Sequence, residues 1–320
     1  MNPQAVVAEL EALLQLTRNL GGALQAGLLM AAAVLGLTSL IPALRSRRRR
    51  ALVVTTILLA LGELLLVWFH WRLSAFAIVA DPSGRIAGHV AVPLWIESEK
   101  LYIWALVVAV MGLFARDHRD ELASGVGIVV AVLTIGAVFW GKPFTNPLPG
   151  FLGQYVGYLQ AMASGNAAAA QAAFEGMEGA RRFYYNSWYM WIHPPLLFLA
   201  YGAFTMAFLA TLLTISRRHS SYERLAYHWA RLGYLPLTAG MLLGFPWAIT
   251  AWRGESWWWS GKVNMSIMMW LLYTAYLHGR LYLRHRGMWR WVVALSVLSF
   301  VILVLTYLAT YVVPGAHSYA

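Results

Sequence analysis

Two histidines and a cluster of indoles carry the chemistry this chain could perform. His193 stands in NSWYMWIHPPLLFLAYGAF (residues 186–204), and His317 in VPGAHSYA at the chain terminus (residues 313–320). Between them lies GFPWAITAWRGESWWWSGKVNMSIMMWLLYTAYLHGR (residues 244–280), which places Trp247, Trp252, Trp257, Trp258, Trp259 and Trp270 within 24 residues. An aromatic belt at a bilayer surface uses one or two such residues per helix end, so this density is an excess. Flat indole faces suit a large planar apolar ligand, since each stacked pair contributes about 0.5–1.5 kcal/mol beyond the area it buries. A porphyrin is such a ligand, and two neutral imidazoles approaching one iron from opposite faces hold it without any thiol. By composition alone a belt or packing accounts for the indoles better than a haem shelf. Either histidine alone reads as an interfacial side chain bonded to water or backbone. The pair, with the Trp-rich loop between its members, shifts the balance towards a bis-histidine haem site.

The chain has no cysteine among its 320 residues. That removes a disulfide framework, a thiolate zinc site, a CxxC redox pair and covalent haem attachment through CxxCH. Metal chemistry falls to histidine. His278 lies fourteen residues beyond Asn264, about 21 Å along a helix at 1.5 Å per residue, and an ionisable group at membrane depth is a functional candidate by default. Ligation and packing both remain open for it. His70 reads as interfacial, at the outer end of a span and at the wrong depth to share an iron with His278, while His118, His219 and His228 fall in loops on the opposite side. Arg253 and Lys262, with Arg181 and Arg182 further off, offer cations for haem propionates, although snorkelling at the interface explains them as well. Glu63 is a carboxylate well inside a span, open to a proton or quinone role or to a polar partner on a neighbouring helix. Glu97, Glu99 and Lys100 crowd the outer start of another span.

The elements that must position these residues are membrane helices. With 60% hydrophobic and 12% charged residues and a mean hydropathy of +0.60, the chain does not describe a water-soluble core, a disordered protein or a collagen-like repeat. Apolar runs long enough for a bilayer core of about 30 Å lie at about 21–43, 51–70, 99–115, 123–140, 188–215, 233–251, 265–283 and 291–313. An all-α polytopic bundle of eight transmembrane helices follows, because only helices satisfy their backbone in lipid without a closed barrel. The net charge of +11 invites a nucleic-acid reading, which needs a basic groove or patch. Most Lys and Arg instead collect on alternate loops, at Arg45, Arg47–Arg50, Arg217, Arg218, Arg224, Arg280 and Arg290 among others. By the positive-inside rule that side is cytoplasmic, and both termini and the functional face are extracytoplasmic.

Four regions are expected. Residues 1–20, with Val6, Leu10, Leu13 and Leu14 on one face and no basic stretch of a signal peptide, read as an amphipathic interfacial helix. Residues 21–140 form a four-span half with an outside loop at 71–98. Residues 141–187 make an extracytoplasmic segment in which a helix carries Phe151, Tyr155, Tyr158, Leu159 and Met162 on one face. Residues 188–320 form a haem-handling core around the Trp-rich loop 252–264.

The segments around His193, the Trp-rich loop and PGAHSY, in this order and at these span boundaries, resemble the WWD-domain, haem-handling membrane proteins of cytochrome c biogenesis. That family includes CcsA, CcmC and CcmF. Length and ending look most like CcsA, whereas His193-Pro194-Pro195 and Lys142-Pro143-Phe144-Thr145-Asn146-Pro147 look more like CcmF. The resemblance covers roughly residues 95–320. It implies that His193 and His317 are axial ligands of a non-covalent b-type haem on the outer face, that Trp252, Trp257, Trp258 and Trp259 shelve it, and that His278 ligates a second haem within the membrane. One departure stands out: where the family's loop closes with Trp-Asp-Pro-x-Glu, this chain has Trp259-Ser260-Gly261-Lys262-Val263-Asn264.

The resemblance implies a protein of the cytoplasmic, or energy-transducing, membrane that presents haem for attachment to apocytochrome c. The missing carboxylates leave room for a b-haem electron-transfer or anchor subunit of a respiratory complex, acting on another extracytoplasmic redox protein. Either role admits a second membrane subunit, which could supply a partner ligand for His278. A transporter gated by the Trp loop fits less well, given no inverted repeat and little intramembrane charge. Whether the chain is itself an enzyme stays open, since the thiol chemistry belongs to the apocytochrome.

Overall fold

A computed structural model describes residues 2–115, 120–251, 257–283 and 287–313. The helices are α1 (Pro3–Leu40), α2 (Arg45–Phe76), α3 (Lys100–Phe114), α4 (Asp120–Gly136), α5 (Pro149–Ala163), α6 (Ala167–Ala180), α7 (His193–Arg217), α8 (Ser220–Ala251), α9 (Gly261–Gly279) and α10 (Met288–Val312). A short antiparallel hairpin, β1 (Ile78–Ala80) with β2 (Ile86–His89), stands between α2 and α3. This hairpin, which the sequence reading did not anticipate, is a small departure from an otherwise all-α chain.

Among the described residues, six helical stretches are long and apolar enough to cross a membrane: Pro3–Leu40, Pro42–Phe76, Asp120–Gly141, Trp188–Arg217, Ser220–Thr250 and Met288–Val312. The protein is an integral membrane protein. The spans expected at 99–115 and 265–283 correspond to α3, of 15 residues, and α9, of 19, which are not among the six. Fifteen residues rise only about 22 Å, short of the bilayer core. In α9 the polar residues Lys262, Asn264, Ser266, Thr274 and His278 dilute the apolar run. The interfacial helix and first span expected at 1–20 and 21–43 form one unbroken helix, α1. Val6, Leu10, Leu13 and Thr17 make a buried stripe along it, and Gly21 is where Phe144 packs so closely that a Cβ has no room.

The chain divides into two compact units. One comprises Met1–Leu37, Arg49–Leu106 and Val130–Trp191. Within it Tyr102 donates to the Leu59 carbonyl at 2.8 Å, and Arg18 donates to the Thr145 carbonyl at 3.0 Å. Helix α5 buries Phe151, Leu152, Tyr155, Tyr158 and Leu159 and packs against α6, whose N-cap Asn166 accepts from the Ala169 amide at 3.0 Å.

The other unit comprises Thr38–Arg48, Val107–Val129 and Ile192–Ala320. In it α7 packs along α8, α9 pairs with α10, and α10 also meets α7. Small residues allow the close approach: a Cβ on Gly233 would lie 2.9 Å from the Phe204 ring. Thr211 and Ser296 join α7 to α10 by a hydroxyl pair at 2.8 Å. Arg280 ties the ends of α8 and α9 together, donating to Glu223 at 3.0 Å with its guanidinium 4.3 Å from the Tyr227 ring centre.

Candidate functional site

His193 is the first residue of α7, and Pro194 and Pro195 follow it. Proline suits this position because the first-turn N–H it lacks has no partner within the helix. Across from it, α8 carries Gly240 and Gly244 one turn apart and Pro246 inside the helix. The His193 Nδ1 lies 2.7 Å from the Gly240 carbonyl oxygen. A carbonyl can only accept, so Nδ1 carries the proton of the neutral ring and Nε2 is left with its lone pair. The Trp247 ring sits 6.0 Å from the imidazole, centre to centre.

A pocket open on one side lies beside this imidazole, with about 70 Å³ of enclosed space. Helix α7 contributes His193 and Leu197, and α8 contributes Met241, Gly244, Phe245, Trp247 and Ala248. Trp257 closes one wall, and Lys262, Val263, Ser266 and Ile267 line it from α9. Trp257 opens a 3-10 turn, Trp257–Trp259, that leads into α9 through Ser260, whose hydroxyl caps the Val263 amide at 3.4 Å. Its indole stacks on that of Trp258 at 3.8 Å, and Phe245 lies 5.5 Å from the Trp258 ring.

The pocket thus has one imidazole held in a single tautomer, indole and phenyl walls, and one ammonium group. Those features fit an iron porphyrin: a nitrogen lone pair for the metal, π-faces for the ring and a cation for a carboxylate. Of the residues expected from sequence, His193, Trp257 and Lys262 come together here. Trp258 backs Trp257 from outside the pocket, and Trp259 projects away from it, 81% exposed. His317, Trp252 and Arg253 lie outside the described residues. The last described residue, Val313, packs where a Cβ on Gly261 would lie 2.8 Å from its Cγ1, at the start of α9 and next to Lys262.

His278 is exposed near the end of α9, and its Nδ1 is bonded within the helix to the Thr274 carbonyl at 2.8 Å. Among the described residues no group of three or more His, Cys, Asp or Glu side chains gathers as a metal site. Sequence reasoning did not assign Gly240, Gly244, Phe245 and Ser266 to the site. The signal available was GFPW, which puts a glycine, a proline and two aromatics on one stretch of helix.

In the other unit, His70 is buried rather than interfacial. Its Nδ1 lies 3.0 Å from the Val92 carbonyl and its Nε2 2.6 Å from the Glu99 carboxylate, so both nitrogens are committed and neither is left for an iron. Glu63 has a buried carboxylate oxygen that makes no hydrogen bond among the described residues. Glu97 accepts from the amides of Gly150 at 2.9 Å and Phe151 at 3.1 Å and from the Tyr185 hydroxyl, capping α5 from a distant part of the chain. Burial pushes its carboxyl up to about 7, against the pull of those two amides.

The family model described as cytochrome C assembly protein matches residues 94–317. The chain belongs to the cytochrome c assembly family. Among its relatives is the probable cytochrome c-type biogenesis protein NrfE of Escherichia coli, 28% identical over 225 residues, covering 67% of this chain and 36% of that protein. The cytochrome c-type biogenesis protein CcmF of Haemophilus influenzae is 27% identical over 240 residues, 72% of this chain and 31% of its own length. A solved structure, Cytochrome c Heme Lyase CcmF, superposes with a TM-score of 0.54 at 21% identity over 93% of this chain and 48% of that one. That likeness is one of fold. This assembly-family chain spans about a third of the length of the two curated relatives and about half of the solved one.

Proposed function

We propose that this chain is a haem-holding subunit of cytochrome c maturation, presenting haem on the extracytoplasmic face for attachment to apocytochrome c. The observation that carries the reading is His193, whose Nδ1 is bonded to a backbone carbonyl while the ring borders an indole-lined pocket. An imidazole whose other nitrogen is engaged in this way is the usual form of a metal-ligating histidine. The names of the relatives, cytochrome c-type biogenesis proteins and a haem lyase, point the same way.

In this reading His193 and His317 would hold a non-covalent b-type haem through their ring nitrogens. His317 is four steps along the chain from Val313, a reach of at most about 14 Å, and Val313 packs beside the start of α9. Trp257 backed by Trp258 would face the ring, and Trp252 is a further candidate for the shelf. Lys262 and Arg253 pair the propionates. When bound, the haem supplies the vinyl groups that apocytochrome thiols take up; the protein's part is to hold the ring, fix its orientation and keep water from it.

His278, exposed on α9, would hold a second haem together with a residue of a partner membrane subunit. With α3 and α9 counted as short spans beside the six long helical stretches, the bundle would cross the membrane eight times with both termini outside. Removing the gene tests the reading: all covalent cytochromes c disappear while b-type cytochromes persist. Normal covalent cytochromes c with loss of one respiratory activity would instead favour the b-haem electron-transfer or anchor role. The closing turn of the loop leaves that role open, since Ser260 and Val263 stand where the resembled family's motif carries its Asp and Glu.

A further inference from the structure

Helix α8 meets the imidazole at two points that bear on its chemistry. The Gly240 carbonyl accepts the Nδ1 proton at 2.7 Å. One turn along, Gly244 lies beneath the ring, where a Cβ would stand 2.8 Å from Cε1, 3.2 Å from Nδ1 and 3.6 Å from Nε2 of His193. A methyl group there forces the ring or the helix to shift. The ring has little freedom to do so: Trp247 is beside it, Pro194 and Pro195 restrict its backbone, and Leu197 packs where a Gly240 Cβ would come within 3.0 Å.

We infer that Gly240 and Gly244 are positioning residues for His193, the carbonyl of Gly240 selecting the tautomer that leaves Nε2 for an iron and the bare backbone of Gly244 making room for the ring. The inference rests on the reading of the pocket as a haem site. A carbonyl oxygen has two lone pairs, so Gly240 can accept the imidazole proton and its own helix bond together. Carbonyl and carboxylate partners of ligating histidines typically matter 10–100-fold in metal affinity. Since no substitution removes a carbonyl, position 244 is where a side chain can break the arrangement.

The experiment titrates the detergent-purified full chain with haem and compares wild type, His193→Ala, Gly244→Ala and Gly233→Ala. Gly233 serves as the packing control, because its Cβ would press on Phe204 in the same helix pair without touching the imidazole. Gly244→Ala is expected to weaken haem binding by about tenfold or more and to disturb the low-spin spectrum, with millimolar imidazole restoring that spectrum. Gly233→Ala is expected to keep the wild-type spectrum even where it lowers the melting temperature.

A second measurement needs no variant at position 244. Nitrogen-15 NMR of histidine-labelled, haem-free protein, with His193→Ala assigning the resonance, should show Nδ1 protonated and Nε2 bare. Haem lost from His193→Ala but bound normally by Gly244→Ala would overturn the inference and leave the haem site standing. So would an Nε2-protonated ring in the wild type, which decides the matter if Gly244→Ala does not fold. A wild type that binds no haem would overturn the haem reading and this inference with it.

Discussion

The indole of Trp258 lies on that of Trp257, ring centres 3.8 Å apart and planes 24° from parallel, yet Trp257 is 5% exposed and Trp259, two residues on, is 81% exposed. A 3-10 turn points successive side chains about a third of a revolution apart, so three adjacent tryptophans cannot share one wall. Trp257→Ala should therefore cost about 3–5 kcal/mol of stability, as for a buried aromatic, and Trp259→Ala within about 0.5 kcal/mol, as for a surface position. Melting curves in detergent measure both. Equal losses at the two positions would contradict the arrangement.

Lys262 lines the same pocket as His193. As a propionate partner it acts as a point charge, so Lys262→Ala should weaken haem binding several-fold and Lys262→Arg much less. The check is haem dimethyl ester, which has no propionate charge. Wild type and Lys262→Ala should bind the ester equally, and a persistent difference would assign Lys262 to packing.

Glu97 predicts a pH dependence. Its carboxyl is pushed up by burial from its ordinary 4.5 to about 7, so the folded chain holds this proton more tightly than the unfolded one. The resulting stability is fully present below about 4.5 and is lost as pH rises through about 7. Melting temperature should fall across that window, and Glu97→Gln should flatten the fall while its amide oxygen still accepts from Gly150 or Phe151. An equal slope in both proteins would contradict the account.

His278 has its Nδ1 engaged with Thr274 and its ring on the exposed face of α9. In the protein purified alone, His278→Ala should leave the haem spectrum unchanged. Co-purified with a partner membrane subunit, the same substitution should remove one haem. Loss of haem from the isolated His278→Ala chain would contradict a ligand supplied in trans.

Legibility from sequence followed the range of the interactions. Helix α7 and the second half of α8 were readable from apolar runs, because that signal is local. His193 and the Trp-rich loop were readable from residue type. The wall opposite His193 was not, since Gly240 and Gly244 matter only through the helix packed on them, 47 residues away in the case of the Gly240 bond. The pairing of His70 with Glu99, 29 residues on, was not readable for the same reason. The join of the first two expected elements into α1 was also missed, because a helix does not have to break where it leaves the interface.

The central claim is that the pocket beside His193 holds haem. It is tested most directly by reduced-minus-oxidised and pyridine haemochrome spectra of the purified protein, beside His193→Ala and His317→Ala. The account predicts a b-type spectrum in the wild type that is lost or strongly weakened in both variants. A wild type without haem, under conditions that load other b-type cytochromes, or a His193→Ala protein with the full wild-type spectrum, would contradict it.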